Sequence, residues 1–89
     1  MYVGIKDAKP LQDYKLRLMF ENGECRVFDL KPYLNLGRIS ELKDEELFNK
    51  VRVSFDTVEW PNGVDLDPEF LYKNSHSNEE EKGIASVRG

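Results

Sequence analysis

Apolar and polar residues alternate most regularly from Tyr14 to Phe20, where Lys15, Arg17 and Met19 separate Tyr14, Leu16, Leu18 and Phe20. A period of two puts alternate side chains on one face of a strand. Asn22-Gly23 follows, and both residues tolerate positive φ, so the spacing predicts a two-residue type I′ hairpin. That register sets Phe20 opposite Cys25 and Leu18 opposite Val27, joining apolar face to apolar face. It also sets Glu21 against Glu24, a like-charge contact that a longer loop relieves. Arg17 and Arg26 then lie on the side away from the apolar face.

Before this hairpin, Tyr2 to Ile5 predicts a short strand at a sheet edge. Lys9-Pro10-Leu11-Gln12-Asp13 reads as a turn, because Pro10 cannot donate to a ladder. After it, Pro32 suits the first turn of a short helix or 3₁₀ segment. Gly37 breaks the chain, and Arg38 to Leu42 reads as extended with Ile39 buried. Asp44 is placed as an N-cap, with Glu45 and Glu46 in the first turn of a helix of about two turns. Val51, Val53 and Phe55 alternate again as a strand, and Asp56-Thr57 reads as a turn.

The densest stretch is Trp60-Pro61-Asn62-Gly63-Val64-Asp65-Leu66-Asp67-Pro68. It contains a large aromatic, a tight turn, a return strand and a helix start, with Asp67 as N-cap and Pro68 at the first helical position. From Asn74 onward the chain is polar and aperiodic, so residues 74–89 read as a disordered tail. The pattern predicts one α+β domain over residues 1–73, a small, mostly antiparallel sheet of β-hairpins with two or three short helices packed on one face.

Composition narrows the function classes. The chain has 89 residues, one cysteine, 34% charged residues and a formal net charge of −4. A domain this small has a modest core, so subunit pairing is one way to supplement it. A lone Cys25 suits a reducing compartment and excludes a disulfide framework. The acidic balance disfavours nucleic acid as a partner. No secretory leader is read at the N-terminus, and no apolar run approaches the roughly 20 residues that span a bilayer. A cytoplasmic location without membrane contact is the expectation.

Candidate chemistry is sparse. Cys25 needs a base to act as a nucleophile, and the sole histidine, His76, falls in the predicted tail. Asp65 and Asp67, with Asp29 and Asp56 elsewhere, could offer oxygen ligands to a divalent cation, but the spacing is not that of an EF-hand, and a cap and a solvated strand residue are the favoured account of the first two. Glu41, Asp44, Glu45 and Glu46 form an acidic cluster that could attract a basic partner, though a solvated helix face with favourable dipole placement is the favoured reading. Lys15, Arg17 and Arg26 could form a basic stripe on the hairpin's open face. Trp60 reads as a core anchor, or as an interface anchor if exposed.

Several of these motifs in series resemble DUF2442, a small bacterial family of unknown function. They are Tyr14-Lys15-Leu16-Arg17-Leu18-Met19-Phe20-Glu21-Asn22-Gly23, then Phe28-Asp29-Leu30-Lys31-Pro32-Tyr33-Leu34, then Leu42-Lys43-Asp44 with Phe48 and Val51-Arg52-Val53. Val58-Glu59-Trp60-Pro61-Asn62-Gly63-Val64-Asp65-Leu66-Asp67-Pro68-Glu69-Phe70-Leu71-Tyr72 closes the series. The resemblance implies a small α+β domain and carries no catalytic or binding residues with it. Some relatives are fused to a helix-turn-helix module, and others lie beside a second small protein in an arrangement like a toxin–antitoxin pair.

The expectation is a non-enzymatic protein–protein interaction domain without catalytic residues or cofactor. Its partner would be another protein or a second copy, and Arg17, Arg26, Trp60 and Asp65 mark the candidate surface. The alternative is a small-ligand or divalent-metal domain using the acidic residues near Asp65.

Overall fold

A computed structural model describes residues 3–77. Strands β1 (Ile5–Leu11), β2 (Lys15–Phe20) and β3 (Cys25–Asp29) form a meander. A two-residue strand β7 (His76–Ser77) joins it, giving an antiparallel sheet of order β1-β2-β3-β7. Strands β4 (Arg52–Ser54), β5 (Thr57–Glu59) and β6 (Asp65–Leu66) form a second antiparallel sheet. Two short α-helices, α1 (Glu45–Phe48) and α2 (Pro68–Asn74), and 3₁₀ segments over Lys31–Tyr33 and Gly37–Lys43 complete an α+β architecture.

The alternation of β2 decides where the core lies. Leu16, Leu18 and Phe20 are fully buried, and Phe28 of β3 joins them on the same face. Leu30, Leu34, Leu42, Phe48, Val58, Trp60, Val64 and Leu71 pack into the same cluster from the 3₁₀ segments, the helices and the second sheet. Phe28, Tyr33 and Phe70 form an aromatic triangle with centroid separations of 5.3–5.8 Å.

The β2–β3 register differs by one residue from the sequence expectation. Leu18 stands opposite Arg26, Met19 opposite Cys25 and Arg17 opposite Val27. Gly23 N–H donates to the Phe20 carbonyl, Phe20 N–H donates to the Glu24 carbonyl, and Gly23 has φ 90°. This is a three-residue loop with a glycine bulge rather than a two-residue turn. It removes the Glu21–Glu24 opposition. Asn62-Gly63 repeats the construction: Gly63 has φ 92°, Trp60 N–H reaches the Val64 carbonyl, and Asn62 Oδ1 accepts from Val64 N–H just as Asn22 Oδ1 accepts from Glu24 N–H.

Other boundaries also shift. β1 runs through Pro10 to Leu11, which an edge strand allows because the missing N–H faces away from the ladder. Gly37–Lys43 coils as 3₁₀ helix instead of extending, and Ile39 is only half-buried. α1 is a single turn, capped by Asp44 as expected through its side chain and Glu46 N–H. The β4–β5 reversal falls on Phe55-Asp56 rather than Asp56-Thr57. Asn74 ends α2, Ser75 is buried and His76-Ser77 pair with β3, so the ordered domain continues past residue 73. The remainder of the expected tail lies outside the described residues. Among the described residues no helix is long and apolar enough to cross a membrane.

Candidate functional site

The four residues singled out by sequence do not converge. Arg17 lies exposed on the outer face of the first sheet, opposite Lys9 and Val27. Arg26 is on the opposite face, because of the register, and so leaves the expected basic stripe. Its Nε donates to Ser75 Oγ at 2.8 Å and its Nη2 to the Ser75 carbonyl at 2.6 Å. Its Nη1 pairs with Glu24 at 3.0 Å, and the guanidinium lies 4.7 Å from the Tyr72 ring centroid. Arg26 therefore fastens the end of α2 to β3. Trp60 is 0% exposed and donates from Nε1 to the Phe48 carbonyl, which makes it the core anchor of the two alternatives. Asp65 is exposed in β6, opposite Glu59.

The acidic residues mostly serve the fold. Asp67 caps α2 through Glu69 N–H. Glu41 accepts from Asn62 Nδ2 at 2.8 Å and pairs with Arg38, and these contacts hold its carboxyl below the usual range. Glu24 accepts from the Tyr72 hydroxyl at 2.5 Å. That bond, with those from Arg26 and Asn22, lowers the Glu24 carboxyl against an opposing desolvation effect and raises the Tyr72 phenol. Among the described residues no group of three or more His, Cys, Asp and Glu side chains gathers. Cys25 is half-buried and shares a face with Val27, opposite that of Leu16 and Leu18. His76, expected in the tail, stands in β7 opposite Val27.

Two features escaped the sequence reading. The first is the strained Phe55 in the β4–β5 turn, one residue before the turn expected at Asp56-Thr57. Phe55 and Asp56 have φ 50° and 71°, and Ser54 pairs with Thr57, which defines a two-residue hairpin with both central residues left-handed. Such turns select Asn-Gly, and a phenylalanine there costs on the order of 1–2 kcal/mol. Phe55 is also 97% exposed, so no packing offsets that cost. The alternation of Val51, Val53 and Phe55 concealed the place of Phe55 within the turn.

The second is a cleft of about 630 Å³ between the β1–β2 turn and α1. Pro10, Leu11, Gln12, Asp13 and Tyr14 line one side, and Glu45, Phe48 and Asn49 the other. Tyr14 meets Phe48 edge-on at 5.4 Å, and its hydroxyl donates to the Lys43 carbonyl. Asp13 and Tyr14 have φ 63° and 61°. Two successive non-glycine residues in this region store on the order of 1–3 kcal/mol each. The Lys31 Nζ bond to the Asp13 carbonyl and the Tyr14 contacts hold them there.

Comparison with known proteins gives a family and no closer relative. No curated protein matches the chain, and no solved structure does either. The family model for DUF2442, described as a protein of unknown function, matches residues 5–77, from the start of β1 to the end of β7. With all but a few of its described residues inside that match, the chain belongs to the DUF2442 family.

Proposed function

We propose that this domain works by contact with another protein in the cytoplasm and carries no catalysis of its own. The observation supporting this reading is Phe55, a large apolar side chain 97% exposed at the tip of a hairpin whose backbone it strains. Exposed aromatic anchors are the residues that interfaces bury at their centres. Strain that no internal contact offsets is retained most readily where it has a use. In the arrangement that the family resemblance suggests, the domain is the small member of a two-gene regulatory or antitoxin-like pair.

The test places a photo-crosslinking phenylalanine analogue at position 55 and, as a control, at the exposed Lys50. The expected result is a discrete adduct with one second protein from position 55 alone. Purified partner should then bind the native chain and lose affinity for Phe55→Asn. Equal, diffuse adducts from both positions would overturn the reading.

A further inference from the structure

We propose that Asn22 is a modification site: its side chain deamidates through a succinimide formed with Gly23, while the matching Asn62-Gly63 loop is protected. This inference stands apart from the protein contact at Phe55 and uses different residues.

The chemistry needs only water. The Gly23 backbone nitrogen gives up its proton to solvent base and attacks Asn22 Cγ. The Cγ–Nδ2 bond breaks, and ammonia leaves with a proton from solvent. Water then opens the succinimide at either carbonyl, giving aspartate or isoaspartate. A following glycine favours the closure, because no Cβ crowds the attacking nitrogen. Asn-Gly stands at two places in the chain, 22–23 and 62–63.

The two loops share a backbone and differ in what holds it. In each, the glycine has φ near 90° and its N–H donates to the carbonyl three residues back at 2.9 Å. Local opening must therefore release the attacking nitrogen in both. The second loop resists opening. Pro61 precedes Asn62 and restricts the backbone. Asn62 Nδ2 donates to Glu41 at 2.8 Å, its carbonyl accepts from Arg38, and both partners belong to the 3₁₀ segment Gly37–Lys43. Trp60 and Val64, on either side, are buried. The first loop has Glu21 in place of Pro61 and an exposed Glu24 in place of Val64. Asn22 is exposed where Asn62 is half-buried, and its side-chain bonds run to Glu24 in the same loop.

The product bears on that glutamate, whose carboxylate also accepts from Arg26 and Tyr72. A carboxylate at position 22 removes one donor to Glu24 and sets a like charge beside it. The clasp that Glu24, Arg26 and Tyr72 form between β3 and α2 then loosens.

The test keeps the full chain folded in warm, mildly alkaline buffer and maps its proteolytic peptides by mass over time, with the chain unfolded in urea as reference. Reaction at position 22 should outrun that at position 62 by about tenfold in the folded chain, and the two rates should converge in urea. The variant Arg38→Ala/Glu41→Ala, checked for native circular dichroism, should speed position 62 several-fold and leave position 22 unchanged. Asn22→Asp, which carries the charge of one product, should lower the urea midpoint. An inert position 22 in the folded chain while the unfolded chain reacts, equal rates in the folded chain, or faster reaction at position 62 would overturn the proposal. So would a rate at position 62 unmoved by the double variant, and an unchanged midpoint for Asn22→Asp would overturn the effect on the clasp.

Discussion

Trp60 and Phe48 are joined twice: the indole Nε1–H donates to the Phe48 carbonyl at 2.9 Å, and their rings stack at 6.2 Å with an interplanar angle of 28°. The bond is fully buried and closes the last turn of α1 onto the start of the 60–64 reversal. One residue thus links the second sheet to the helix that walls the cleft.

Trp60→Phe keeps an aromatic ring but removes the indole bond to the Phe48 carbonyl, leaving it the longer one from Val51 N–H at 3.3 Å, and leaves a void. We expect a loss of about 2–4 kcal/mol. Urea titration would show a lower midpoint at an unchanged slope.

Phe55→Asn should do the reverse. Asparagine accepts φ near 50° at lower cost, and no buried contact is lost. A gain of about 0.5–1 kcal/mol in thermal or chemical unfolding is expected, together with loss of partner binding. A Phe55→Asn chain less stable than the native one would show that Phe55 serves the fold.

Arg26 and Arg17 should separate cleanly. Arg26→Ala removes three hydrogen bonds around Ser75 and Glu24 and should cost about 2 kcal/mol. Arg17→Ala, on the open face, should stay within about 0.5 kcal/mol. Paired denaturation curves decide this.

The Glu24–Tyr72 bond sets two pH limits. Glu24 titrates below its ordinary 4.5 in the folded chain, so its contribution is complete above that value and is lost as pH falls through the folded pKa. Tyr72 titrates above its ordinary 10.0, so its contribution is complete below that value and is lost as pH rises through the folded pKa. Tyr72→Phe should return the Glu24 carboxyl toward 4.5, read by carbon-detected NMR titration.

The sequence exposed the elements better than their joints. The period of Leu16 to Phe20, the Asp44 and Asp67 caps and the proline-started helix follow from local rules, and the structure keeps them, while Tyr14 leaves the expected strand for the left-handed turn before it. The β2–β3 register was missed because Asn-Gly fits both a two-residue turn and a three-residue loop with a glycine bulge. The Glu21–Glu24 clash was the one local signal for the longer loop. That single shift moved Arg26 from the wet face to the core side and put Cys25 on the other. Asp56 signalled a turn, but Phe55 is a residue that left-handed turn positions disfavour, so the reversal was expected one residue later than it falls. The cleft was illegible because its two walls are some thirty residues apart in sequence and meet only through tertiary packing.

Gly4 and Ile5 hold the two sheets at one point. The Gly4 carbonyl accepts from Glu21 N–H at 2.8 Å, and Ile5 N–H donates to the Asp56 carbonyl at 2.8 Å. A side chain at Gly4 would bring its Cβ to 2.9 Å from Glu21 Oε1 and 3.2 Å from Asp56 Cβ, so bulk there requires both neighbours to shift. In the protein contact proposed at Phe55, a load on the aromatic tip reaches the first strand through the Ile5 amide and through the packing of β1 on β4 and β5. Deuterium uptake at Ile5 becomes a built-in gauge of occupancy, slowing when the tip is held and quickening when the reversal is loosened.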